Sequence, residues 1–133
     1  MTKDDAARDV VLTLPRDVDA PAMARQYVTR NATWLPADVL DDALLLVSEL
    51  VGNAVRHGRD EIVLRLRPYP PGIGVAVTDH GDDMPTLPDG RPDPTVPSGR
   101  GLLIVAALAS RWGVEKIESG SGKTVWFDLH TEA

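Results

Sequence analysis

Three short stretches of this chain carry side chains that could do chemistry. At about 100° per residue, Glu49, Asn53 and Arg56 would lie within about 60° of one another on a helix. One edge would then hold a carboxylate that can accept a proton, an amide oxygen that suits a hard cation, and a fixed positive charge. Asp79-His80-Gly81 sets an acceptor-only carboxylate beside a residue whose missing Cβ lets a flat ligand approach the backbone. Ser98-Gly99-Arg100-Gly101 stands before an apolar helical pattern, where free backbone N–H groups and the helix dipole favour an anion. Taken singly, each is ordinary: a polar helix edge, a strand running into a turn, a glycine-rich helix start. Two other stretches only imitate nucleotide motifs. Gly122-Lys123-Thr124 has Ile117 where a phosphate-binding P-loop needs glycine, and it is followed by strand-like alternation rather than a helix. Gly99-Arg100-Gly101 has Ile104 where a dinucleotide fingerprint needs its third glycine.

These residues need elements to position them, and the pattern of apolar residues supplies candidates. Val10 to Leu14 is rich in strand formers and stops at Pro15. Asp19 is placed as an N-cap, with Pro21 in the first turn of a helix reaching to about Thr33. The strongest helical signal runs from Pro36 to His57, with Leu40, Ala43, Leu44, Val47, Leu50, Val51 and Ala54 forming an apolar stripe and Gly58 as a stop. Glu49, Asn53 and Arg56 lie roughly a right angle from the centre of that stripe. Ile62, Leu64 and Leu66 alternate as a strand, Pro68 to Gly72 reads as a turn, and Gly74 to Thr78 as the returning strand. Between Gly81 and Gly99, Pro85, Pro88, Pro92, Pro94 and Pro97 break every pattern, which predicts a long loop of the kind that is functional or mobile. A helix resumes at Gly101, and two strands close the chain, Gly113 to Ile117 and Val125 to Leu129. The order strand, helix, helix, hairpin, loop, helix, hairpin predicts an α+β fold. It is a two-layer α/β sandwich, with helices on one face of a mixed, mostly antiparallel sheet.

Composition limits the function classes. The chain has 133 residues, enough for one core and one domain over 1–133, with 43% hydrophobic and 26% charged residues, as in an ordinary globular protein. The uncharged apolar runs, such as Ala43 to Ser48, are too short to cross a bilayer, so no membrane partner is expected. Asp and Glu number 20 against 14 Lys and Arg, a formal charge of −6, and no segment gathers the basic side chains into a phosphate-tracking stripe. Nucleic acid is therefore not an expected partner. The lack of cysteine and of an apolar leader at Met-Thr-Lys-Asp-Asp fits a cytoplasmic protein.

In this order the three stretches resemble the nucleotide site of the ATPase superfamily that includes DNA gyrase, histidine kinases and mismatch-repair proteins, the GHKL or Bergerat-fold ATPases. Glu49-Leu-Val-Gly-Asn53-Ala-Val-Arg-His57 is similar to its N box. Asp79-His-Gly81 is similar to the first glycine box, Gly99-Arg-Gly101-Leu102 to the second, and Gly122-Lys-Thr124 to the start of its last conserved strand. The resemblance covers about residues 8 to 130. Within the superfamily, Asn-Ala-Val-Arg-His-Gly and Gly-Arg-Gly-Leu-Leu-Ile-Val resemble bacterial anti-sigma regulatory factors, the RsbW-like serine kinases. Such proteins use ATP to phosphorylate a small antagonist (anti-anti-sigma) protein and bind a sigma factor otherwise, and they commonly form homodimers.

The resemblance implies roles for residues at matching positions. Asp79 would accept a hydrogen bond from the adenine amino group, a contact that selects adenine, with Thr124 supporting it and Gly81 leaving room for the ring. Asn53 would be the Mg²⁺ ligand and Glu49 the catalytic base. Gly99, Arg100, Gly101 and Leu102 would cradle the phosphates, with His57 and Arg56 at the end of the same helix as Glu49. Two other readings stay open. One is the catalytic domain of a histidine kinase, for which the roughly 20 helical residues before Trp34 are expected to be too few to add a dimerisation hairpin. The other is a nucleotide-binding interaction module that transfers no phosphate. A structural domain with no ligand would leave three matched boxes to chance.

Overall fold

Alternation along the strands and a broad apolar face on one helix build this molecule. The computed structural model describes residues 9–57, 60–81, 105, 107–117 and 122–130. Along them run β1 (Val10–Leu14), α1 (Ala20–Asn31), α2 (Ala37–His57), β2 (Ile62–Tyr69), β3 (Gly72–Asp79), β4 (Arg111–Lys116) and β5 (Lys123–Leu129). The strands form one sheet in the order β1-β2-β3-β5-β4. Every pairing among them is antiparallel, so the described sheet is not mixed. Ile62, Leu64 and Leu66 of β2, Ile73, Val75 and Val77 of β3, and Val125, Phe127 and Leu129 of β5 are buried on one face. Against it pack Ala43, Val47, Leu50, Val51 and Ala54 of α2, with Ala20, Ala24 and Val28 of α1 completing the cluster. The result is a two-layer α+β sandwich with both described helices on one side.

Several boundaries move from their sequence positions for visible reasons. The backbone at Asp19 begins α1, but no side-chain cap forms there; instead the Asp19 amide donates to Asp17 Oδ1 at 2.9 Å. The helix ends at Asn31, short of Thr33, where the Asn31 side chain donates back to the Tyr27 carbonyl at 2.8 Å. β2 continues through Pro68 and Tyr69, leaving only Pro70–Pro71, joined by a cis peptide bond, as the hairpin turn. Trp34 Nε1 donates to the Gly72 carbonyl at 3.1 Å and ties the link between the helices to the start of β3. β4 begins at Arg111 rather than Gly113, held by an Arg111–Asp128 ion pair of 2.7 Å across to β5. Gly113 sits opposite Trp126, whose ring would lie 2.8 Å from any Cβ there.

The buried face of α2 is wider than its expected stripe. Leu46 is fully buried and lies on the side of the helix that carries Asn53, so Asn53 belongs to the covered face, with only 9% of its surface exposed. Among the described residues no helix is long and apolar enough to cross a membrane. Val105, Ala107 and Leu108 have helical backbone, and Val105 joins the core. Most of the helix expected from Gly101 lies outside the described residues.

Candidate functional site

The carboxylate end of the site is set by strand phase. Asp79 is the last residue of β3 and alternates in step with Val75 and Val77, so it faces the helices and is 3% exposed. Its Oδ1 accepts the Gly81 N–H at 2.8 Å, a local turn in which an Asp side chain holds the backbone two residues on. Opposite it in the ladder stands Lys123. Lys123 is in phase with Val125, Phe127 and Leu129, is 4% exposed, and brings Nζ to 3.1 Å from Asp79 Oδ2 and 3.3 Å from Oδ1. Gly122 makes this approach feasible. With φ of +130° and a Cβ position 2.6 Å from the Asp79 carbonyl oxygen, no other residue fits there without rearrangement.

Thr124 does not share the face of Asp79, as its implied role would require. Neighbouring strand residues point to opposite faces, so Thr124 lies on the outer side of the sheet, where its hydroxyl is 2.7 Å from that of Thr78. The support for Asp79 comes from Lys123 instead. A signal for this was in the sequence: a lysine in step with Val125, Phe127 and Leu129 sits in the buried register of its strand. The same outer face carries a depression of about 510 Å³ lined by Arg65, Arg67, Trp126 and Asp128 among others. Concavity alone would make it a candidate site, but Glu49, Asn53 and Asp79 are all absent from its lining.

The second part of the site lies on α2, which packs across β3, β2 and β5. Exposure rises along its edge from buried Asn53 through half-buried Glu49 to exposed Arg56. Arg56 Nη2 donates to Asn53 Oδ1 at 2.5 Å, so the oxygen expected to hold a metal carries a guanidinium N–H. Arg16 Nη1 donates to the Val55 carbonyl at 3.1 Å, meeting one of the carbonyls left open in the last turn of α2. His57 ends the helix, and its side chain lies outside the described residues. So do Gly99, Arg100, Gly101 and Leu102, together with residues 82–98, where a long loop is expected from the sequence.

A divalent ion is compatible with this donor set in one way. Among the described residues no three His, Cys, Asp or Glu side chains gather at a point, so an all-protein cage is not formed there. Mg²⁺ bound to a nucleotide asks for less, one or two protein oxygens with phosphate and water supplying the rest, and the buried Asn53 amide oxygen is such a donor. Arg56 would have to swing away or share that oxygen.

The described site is thus a helix-covered antiparallel sheet with a buried acid at a strand end and a Glu and an Asn one turn apart on the covering helix. The family model for the histidine kinase-like ATPase domain matches residues 14–129, from the end of β1 to the end of β5, and the chain belongs to that family. Among solved structures it is similar to the histidine kinase domain from the Erythrobacter litoralis EL346 blue-light activated histidine kinase, with 20% identity and a TM-score of 0.48. That similarity covers 93% of this chain and 63% of the other. No curated protein matches.

Proposed function

We propose that this chain binds ATP with Mg²⁺, transfers the γ-phosphate to a serine or threonine of a small antagonist protein, and sequesters a sigma factor when the antagonist is not bound. The observation that supports this best is Glu49 one helical turn before the buried Asn53, on a helix packed over the strand that ends in Asp79. In this reading Asp79 receives the adenine amino group and Asn53 orients the metal, which when bound neutralises phosphate charge. Glu49 accepts the proton of the substrate hydroxyl as its oxygen attacks the γ-phosphorus; the bond to the β–γ bridging oxygen breaks and ADP leaves. Gly99, Arg100, Gly101 and Leu102 meet the phosphates. The protein would act in the cytoplasm and pair with a second copy of itself.

The family's description favours one other reading, a catalytic domain that phosphorylates histidine. Incubation with γ-labelled ATP and an antagonist-type protein separates the two. Acid-stable phosphoserine or phosphothreonine, lost in Glu49→Ala, supports the serine kinase; acid-labile phosphate supports the histidine reading. Binding of ATP and partner with no phosphoprotein would leave an interaction module.

A further inference from the structure

We infer that Lys123 sets the base specificity of this site, pairing with Asp79 so that the pocket takes 6-oxopurine nucleotides as well as adenine nucleotides. The inference rests on the reading of Asp79 as the base contact. A lone carboxylate offers only acceptors: it attracts the adenine amino group and repels the lone pairs of a 6-oxo group. Asp79 is not alone. Lys123 Nζ lies 3.1 Å from Oδ2 and 3.3 Å from Oδ1, and both side chains are buried on the helix-covered face.

The count of donors and acceptors leaves one of each to spare. Among the described residues, Oδ1 takes the Gly81 N–H and the ammonium, whereas Oδ2 takes the ammonium alone, and a carboxylate oxygen has about two lone-pair positions. The ammonium has three N–H donors, of which Asp79 engages at most two. With respect to the described residues, an open acceptor and an open donor therefore sit side by side at the end of β3. Adenine presents an N–H donor next to the N1 acceptor. Hypoxanthine presents the O6 acceptor next to an N1–H donor, the same pair with roles exchanged. The buried ammonium also cancels the charge that would push O6 away. Lys123 is held in place by the ladder register opposite Asp79 and by the missing Cβ of Gly122.

Calorimetric titration of the full chain with Mg-ATP and Mg-ITP tests this, because ITP differs only in the 6-oxo group and its N1 proton. ITP is expected to bind within about tenfold of ATP, and Lys123→Met to weaken ITP at least about tenfold more than ATP, while Lys123→Arg retains both. Wild-type chain that binds ATP but takes ITP more than about tenfold more weakly overturns the role of Lys123, as does an unchanged ratio in Lys123→Met. Should Lys123→Met not fold, the wild-type ratio decides alone. Failure of both nucleotides to bind overturns the nucleotide reading of the site, a result distinct from binding ATP and rejecting ITP.

Discussion

At the end of β3, Asp79 and Lys123 are both buried, paired to each other, and fixed from two sides by an antiparallel ladder whose register sets one opposite the other. On α2 the groups assigned to chemistry hang from a single element, and exposure grows from Asn53 to Glu49 to Arg56. The first region is neutral and preformed; moving it means breaking a sheet. The second can change partners by side-chain rotation alone, as the Arg56 to Asn53 hydrogen bond requires if a metal is to use that oxygen. In the proposed reading, recognition belongs with the rigid end and reaction with the adjustable one.

Glu49 gives the widest separation between the two regions. Glu49→Ala is expected to lower phosphoryl transfer by about 10²–10⁴ and to leave ATP affinity nearly unchanged, as loss of a base does. Single-turnover transfer and calorimetric binding measured on the same preparation check it. A parallel loss of binding would mean that the helix edge is also part of recognition.

The buried pair gives the next largest effect, and on stability. Lys123→Met leaves a buried carboxylate without its counter-charge, which typically costs about 3–5 kcal/mol, whereas a second change, Asp79→Leu, removes the stranded charge and should restore most of the loss. Urea unfolding of the two variants measures both. Equal destabilisation in the single and double variants would show that the pair is solvated rather than buried.

How much of this could be read in advance follows from the same contrast. The expectations for Glu49, Asn53 and Asp79 can be drawn from the sequence because they rest on residue type and short spacing within one element each. The sandwich followed from the apolar periods of α2, β2 and β5. The Asp79–Lys123 contact needs the pairing of strands 44 residues apart, which no local pattern supplies, although strand phase already put Lys123 on the buried side. The face that Thr124 occupies escapes local pattern for the same reason: a motif match gives residue type, while the face is decided by register. The burial of Leu46 at the far edge of α2 is not legible in the helix pattern because it depends on what packs against that edge, not on α2 itself.

A smaller effect is expected at the adjustable end. Asn53→Ala removes one metal ligand out of several, so ATP affinity in Mg²⁺ should fall by about tenfold while affinity in EDTA stays the same. Titration with and without the metal reads the difference directly. An equal loss in both conditions would assign Asn53 to packing, through its hydrogen bond with Arg56, rather than to the ion.

The smallest effect is expected on the outer face, and it tests whether the two sides of the sheet are as separate as strand phase makes them. Thr124→Val removes the hydroxyl that pairs with Thr78 but keeps a β-branched side chain suited to a strand. Both residues are half-buried, so the remaining Thr78 hydroxyl can turn to water, and the net loss should be about 1 kcal/mol or less. Nucleotide affinity should not move, because Lys123 and Asp79 face the opposite side and keep their register. If Thr124→Val instead lowers ATP affinity by about tenfold with unchanged unfolding free energy, the threonine contacts the nucleotide after all, and β5 must shift its register by one residue on binding.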